Sequence, residues 1–243
     1  MEIVKYKNIK FKKLKQIKND SSNKIYKEKS NPKNLYKIFE NTDKEELQLK
    51  REKLELLREK GVEDIIVPHT LIEKKNRLKG DISEYINDSI PLYCAYNRCY
   101  IEQIQDILLE VSKKLYNIHN NNILIGDLHF YNIILDRSLK SYFIDVDSYG
   151  IGNIKPDNNS ALVDYYYKSK NKKIVFNDNL DRLSFMLSVF SMTTGKNIFK
   201  LNEKTFDTYS EKYEFLNDLK DIYLRLKNSD EIIDVPYLYE LIK

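Results

Sequence analysis

The stretch Gly126-Asp127-Leu128-His129-Phe130-Tyr131-Asn132, with Asp145 of Ile144-Asp145-Val146-Asp147 18 positions after Asp127, constrains this chain more than any other feature. Ile123-Leu124-Ile125 precedes Asp127, Ile133-Ile134-Leu135 follows Asn132, and Tyr142-Phe143-Ile144 precedes Asp145. Each polar residue therefore begins or ends a short apolar run of strand type. Acids at strand ends are expected to point into a cleft. The polar stretch Asp136 to Lys140 reads as a turn, which predicts a hairpin carrying Asn132 and Asp145 to one edge. Two carboxylates and a carboxamide so arranged suit a metal-bound triphosphate. Phosphoryl transfer needs Mg²⁺ ligands of hard oxygen, a carboxylate near the acceptor hydroxyl, and a cation on the phosphates.

These residues resemble the protein-kinase-like superfamily. Its catalytic loop is an Asp, four residues, then Asn, and its metal-binding Asp opens the turn after the next strand. The resemblance implies an α+β fold of two lobes, an antiparallel N-lobe sheet with one helix (1–86) and a mainly helical C-lobe (87–243). It implies Asp127 as catalytic base and Asn132 and Asp145 as metal ligands. The spacing agrees while the letters diverge: Ile125-Gly126 stands where His-Arg is usual, and Val146-Asp147 where Phe-Gly is. Gly-Asp-x-His is closer to the aminoglycoside and choline phosphotransferase branch, and Ile-Asp-Val-Asp-Ser-Tyr resembles divergent bacterial kinase-like proteins.

With 243 residues, 42% of them hydrophobic and 29 Tyr or Phe, the chain has material for a real core. No apolar run approaches a membrane span and the first residues lack a signal-peptide core, so a cytoplasmic protein with no membrane partner is expected. Cys94 and Cys99 have no second pair and no nearby His, so two half-buried thiols are expected rather than a zinc site. Residues 1–37 hold 12 Lys against Glu2, Asp20 and Glu28. This basic block suits a polyanion or, preferably, a strand surface near a nucleotide triphosphate; nucleic acid is not the expected partner.

Alternation predicts strands over Ile9–Lys18, Lys24–Lys29 and Asn34–Phe39, with turns at 19–23 and 30–32. Lys37 lies inside the apolar strand Leu35-Tyr36-Lys37-Ile38-Phe39, a costly place for an ammonium unless an anion meets it. By the resemblance it binds the α/β-phosphates of ATP. Helical spacing from Asp43 to Lys60, stopped by Gly61, would present a Glu to Lys37. Glu52 and Glu55 both qualify, and Glu52 fits the family register better. Strands follow at Ile65–Val67, Thr70–Ile72 and Lys79–Ile86; by the resemblance the backbone of Glu84 and Ile86 bonds adenine. Ile101–Asn120 is an amphipathic core helix, with His119 a packed or capping residue. Asp181 opens an apolar helix ending near Gly195 and, by the resemblance, holds the catalytic-loop backbone.

The resemblance runs from about residue 9 to residue 195. No Gly precedes Gly61, so Ser21, Ser22 and Asn23 would have to cover the phosphates. There is no Ala-Pro-Glu-like sequence between Asp147 and Asp181. The expected mechanism uses Mg²⁺ and ATP: Lys37, held by Glu52, meets the phosphates, Asp145 and Asn132 hold the metal, and Asp127 orients and deprotonates an acceptor hydroxyl. His129 would donate to the γ-phosphate or be a backbone-bonded loop His. His side chains titrate near neutrality, so the first role makes activity sensitive to pH between roughly 6 and 7. A Ser/Thr protein substrate is expected, with a small-molecule acceptor (aminoglycoside or choline) or a pseudokinase as the alternatives.

Overall fold

In a computed structural model, residues 1–19, 23–40 and 43–242 are described. They form two compact units, Met1–Ser89 with Tyr142–Asp147, and Ile90–Ser141 with Ser148–Lys243.

The first unit is a six-stranded sheet in the order β1-β5-β6-β4-β3-β2, from β1 (Glu2–Lys5), β2 (Leu14–Asn19), β3 (Asn23–Glu28), β4 (Asn34–Phe39), β5 (Thr70–Lys74) and β6 (Arg77–Glu84), with helix α1 (Lys44–Lys60) between β4 and β5. Neighbours run antiparallel except β1, which pairs parallel with β5, Glu2 opposite Thr70. The two-residue period of a strand sorts β4 onto two faces. Tyr36 and Ile38 join Ile72 and Ile82 in a cluster covered by Val4, Tyr6, Ile9, Phe11 and Tyr26. Lys37 and Phe39 turn the other way and are buried.

Helix α1 begins where the Asp43 carboxylate accepts the N–H groups of Glu45 and Glu46, and ends at Gly61 at φ 61°, a left-handed conformation that glycine adopts without a Cβ penalty. Leu54 and Leu57 are buried, which fixes the helix's inward face. Phe143 exchanges backbone hydrogen bonds with Asp64 and Ile66, both 2.9 Å, and this pairing makes residues 142–147 part of the first unit.

Three strand expectations change. Over residues 9–13 the chain is irregular at 9–10 and a 3-10 turn at Phe11–Lys13 rather than strand, because Tyr6, Ile9 and Phe11 fold over the sheet instead of extending along its edge. Ile65 makes a single bridge to Phe143, not a strand over 65–67. β1 lies before the expected start of the sheet.

The second unit contains β7 (Ile90–Pro91), α2 (Leu92–Ala95), α3 (Ile101–Asn120), β8 (Ile123–Leu124) and β9 (Ile133–Leu135); β10 (Ser141–Phe143) crosses the boundary, and β11 (Gly150–Ile151), α4 (Ala161–Ser169), α5 (Asp178–Thr194), α6 (Glu203–Lys212), α7 (Phe215–Asp218), α8 (Lys220–Asn228) and α9 (Leu238–Leu241) follow. α3 buries Ile104, Ile107, Leu108, Val111, Leu115 and Ile118, the stripe its periodicity predicts. α5 is buried almost throughout, from Leu180 to Thr194, as an all-round apolar helix must be. Cys94 and Cys99 are free and half-buried. Among the described residues no helix is long and apolar enough to cross a membrane.

Candidate functional site

The candidate residues fall into two groups, one in each unit. In the first, Lys37 is 9% exposed and bonds the carboxylates of both Asp145 and Asp147. Asp147 in turn accepts from Lys50 of α1 at 3.1 Å. Asp81 sits opposite Lys37 in the β4–β6 register and is 3% exposed, so it shares the same face of the sheet. Phe39 closes the cluster, its ring centroid 5.9 Å from the Lys37 Nζ and 5.7 Å from the Lys50 Nζ.

The electrostatics follow from charges held out of water. Burial alone would lower the Lys37 pKa, but the carboxylates of Asp147, Asp145 and Asp81 reverse this and raise it well above the ordinary lysine value. Burial would raise Asp147, and Lys37 and Lys50 overcome it, holding that carboxyl well below the usual range. Asp81 is pushed up to about 7, chiefly by burial, with Lys37 opposing and the neighbouring Asp147 and Asp145 assisting. Asp145 differs from its neighbours: its side chain is 45% exposed, and its backbone sits at φ 64°. A non-glycine residue costs about 1–3 kcal/mol in such a conformation, and residues held there cluster at functional sites.

Glu52 does not meet Lys37. It lies on the exposed side of α1, about 200° around the axis from buried Leu54 at roughly 100° per residue, whereas Lys50, four residues before Leu54, shares the inward face. Glu55 accepts from Arg51 at 3.1 Å, and Arg51 also reaches Glu73 at 2.8 Å. Burial of Leu54 and Leu57 sets this register, which the spacing of the glutamates does not reveal.

In the second unit, Asp127 and Asn132 are tied through the loop between them. The Asn132 side chain donates to the Asp127 carbonyl at 3.1 Å, and the Asn132 N–H donates to the His129 carbonyl at 2.8 Å. The Asn132 carboxamide thereby spends a donor on the loop backbone. His129 Nε2 lies 3.8 Å from Asp127 Oδ2, and its buried Nδ1 has no hydrogen-bond partner among the described residues. The fully buried Asp181 carboxylate accepts from the N–H groups of Ile125 at 2.7 Å and Gly126 at 2.8 Å, with His119 Nε2 at 3.1 Å. His119 Nδ1 meets the Tyr237 hydroxyl at 2.7 Å. Ser184 donates to the Leu128 carbonyl, so α5 grips the loop at two successive turns.

Gly126 has a local cause. At φ 71° a Cβ there would stand 2.5 Å from both the Asn158 carbonyl oxygen and Pro156 Cβ. Pro156 also packs on Gly150, where a Cβ would lie 2.5 Å from its Cδ. The proline therefore excludes a side chain where the resembled loop carries Arg.

Glu84 ends β6, exposed and in register with Asn34; half-buried Ile86 follows, and the Tyr85 N–H between them donates to the Lys33 carbonyl at 2.9 Å. Ser21 and Ser22 lie outside the described residues. Lys50, Asp81 and Asp147 join the site without having been expected from the sequence. The second acid of Asp145-Val146-Asp147 was the available signal for Asp147. Equally unexpected is the exposed Tyr131, stacked on Tyr93 with centroids 4.7 Å apart beside Asn132.

In the first unit Asp145 offers a half-exposed carboxylate, and in the second Asn132 offers a carboxamide oxygen, each a hard oxygen of the kind that Mg²⁺ takes. Asp145 is already ion-paired with Lys37. Among the described residues no cluster of three His, Cys, Asp or Glu forms a ready-made metal cage. A Mg²⁺ ion carried in with a triphosphate takes part of its coordination from phosphate oxygens and water.

No protein-family model matches the chain, and no curated protein matches it. Among solved structures it is similar to the kinase PK-1 of Cydia pomonella granulovirus, with 17% identity, a TM-score of 0.58, and coverage of 86% of this chain and 80% of that one. The chain has a protein-kinase-like fold, an N-terminal multi-stranded sheet followed by a mainly helical remainder.

Proposed function

We propose that the chain is an ATP-dependent phosphotransferase acting on Ser or Thr hydroxyls of a protein. The observation that carries this reading is Lys37, a buried ammonium on a sheet strand bonded to Asp145, the aspartate that the motif spacing assigns to the metal. Burying such a group costs several kcal/mol unless anions compensate it, and a triphosphate is the anion this chemistry serves. Mg²⁺, held by Asp145 and Asn132, would neutralise charge on the phosphate oxygens. Lys37 binds and orients the α/β-phosphates. Asp127, fixed through Asn132 and the Asp181-bonded loop, orients the acceptor hydroxyl and takes its proton at the carboxylate. His129, whose Nε2 lies 3.8 Å from Asp127 Oδ2, would donate to a phosphate oxygen or to Asp127.

A protein acceptor is favoured by the segment between Asp147 and Asp181, which holds β11 and α4 and no long insert from which to enclose a small molecule. The test is incubation with γ-labelled ATP and Mg²⁺ alone, with generic protein acceptors, and with aminoglycosides, choline and sugars. Asp127→Asn should keep nucleotide binding and lose about 10²–10⁴-fold in transfer. Asp145→Asn should lose the thermal stabilisation by Mg·ATP. Label on a small molecule and on no protein would move the assignment to the other branch. Undiminished Mg·ATP binding by Asp145→Asn would remove the metal role.

A further inference from the structure

Lys37 has two carboxylate partners, and only one of them is called on by a metal. Asp145 is half open to solvent, whereas Asp147 is nine-tenths buried and divides its oxygens between two lysines, Oδ1 to Lys37 and Oδ2 to Lys50. Lys50 is itself nearly buried, reaches Asp147 from α1, and lies within 3.8 Å of Glu46 one turn back. No glutamate of α1 faces Lys37, because the helix register set by Leu54 and Leu57 turns Glu52 to solvent.

We propose that Asp147 and Lys50 are the positioning residues of the nucleotide site: Asp147 holds Lys37, and Lys50 holds Asp147 to helix α1. The charges have exchanged elements relative to the expected arrangement, the helix supplying the cation and the segment after β10 the anion. This deepens the phosphotransferase reading and rests on it for the meaning of Lys37, but the geometry stands within one unit. Releasing Asp145 to a metal leaves Lys37 still bonded to a buried carboxylate. A site with Asp145 alone would have to choose between its lysine and its metal. Displacing α1 would break the Lys50–Asp147 link first and free Lys37 second, so the helix position governs how well Lys37 is aimed.

The experiment reads Lys37 directly as well as the reaction. Amine acylation followed by mass spectrometry reports how reachable the Lys37 ammonium is. In the wild type Lys37 should be labelled more slowly than every lysine of the first unit except the fully buried Lys53. Removing one carboxylate partner in Asp147→Asn leaves the ammonium with one anchoring bond in place of two and should speed its labelling severalfold. Lys50→Met should speed it by severalfold, and Lys50→Arg should restore wild-type protection. In transfer assays the same order should appear in kcat, with KM for the nucleotide changing less, and circular dichroism should show all three variants folded. Equal Lys37 labelling in wild type, Asp147→Asn and Lys50→Met overturns the proposal. So does the reverse ranking, with Glu52→Gln releasing Lys37 and Lys50→Met silent. Protected Lys37, released as predicted, in a chain that transfers phosphate to no acceptor would sustain the positioning and end the phosphotransferase reading.

Discussion

Substituting Asp181 by Ala tests the anchoring of the Asp127 loop. The carboxylate is fully buried and accepts three hydrogen bonds, two of them from the buried backbone N–H groups of Ile125 and Gly126. Alanine offers neither group an acceptor, and each orphaned donor costs about 1–3 kcal/mol. His119 keeps its bond to Tyr237, so its loss counts for less. The two amides together give about 4 kcal/mol, a large share of the roughly 5–15 kcal/mol typical of a whole protein. For a chain of this length about 2–4 °C is lost per kcal/mol, so the midpoint of the transition that unfolds the second unit should fall on the order of 10 °C. Asp181→Asn keeps one acceptor oxygen and should fall about half as far. Differential scanning calorimetry gives the midpoints, and hydrogen exchange should show the amides of residues 125 and 126 losing protection in the native state. A midpoint within about 2 °C of wild type, with both amides still protected, would refute the anchoring argument.

Two further substitutions probe single features. Gly126→Ala should destabilise the second unit by more than Gly195→Ala, since both residues have positive φ but only at 126 would the Cβ meet neighbours at 2.5 Å, a Cβ at 195 having nothing within 4 Å; the left-handed strain alone is about 1 kcal/mol and the clash adds to it, and equal urea midpoints would count against the Pro156 contact. Asp81 has a folded pKa near 7 against an ordinary value of 3.8, so it binds its proton more tightly when folded. Its contribution to stability is full below about pH 4 and is lost as pH rises through 7. Asp81→Asn should flatten the stability profile of the first unit between those limits, and a profile with the wild-type slope would show that Asp81 is not the group titrating.

Much of this was legible in the sequence because period and punctuation agree there. β4, α1, α3 and α5 stand close to where alternation, helical spacing from Asp43, the Gly61 and Gly195 stops and the apolar stripe put them. Asp181 holds the loop as the resemblance implied, and Lys37 is buried against anions as its apolar strand requires. The partner of Lys37 was not legible. On a helix written KEELQLKREKLELLREK, charge alone offers many candidates, and which residue faces inward depends on a register that Leu54 and Leu57 decide through packing. The loss of Arg at position 126 was readable as a letter, but its cause lies 30 residues away in Pro156, a contact that local pattern does not carry. β1 was invisible because its pairing with β5 spans 68 residues and its four residues have little alternation of their own.

That short first strand has a consequence for how the protein keeps itself apart from its own copies. β5 would otherwise be an edge, with the backbone groups of Thr70–Lys74 open to pair with any extended chain. β1 occupies that edge and ends in Lys5, whose Nζ is held by Glu73 at 2.7 Å, so the outermost strand is brief and bears charge. The 3-10 turns that follow carry Tyr6, Ile9 and Phe11 across Ile38, Ile72 and Ile82, shielding a greasy face as well. Residues 1–13 therefore cover a strand edge and an apolar face together, and proteolysis within them is expected to expose both at once and to promote association of the nicked chains, which light scattering would read.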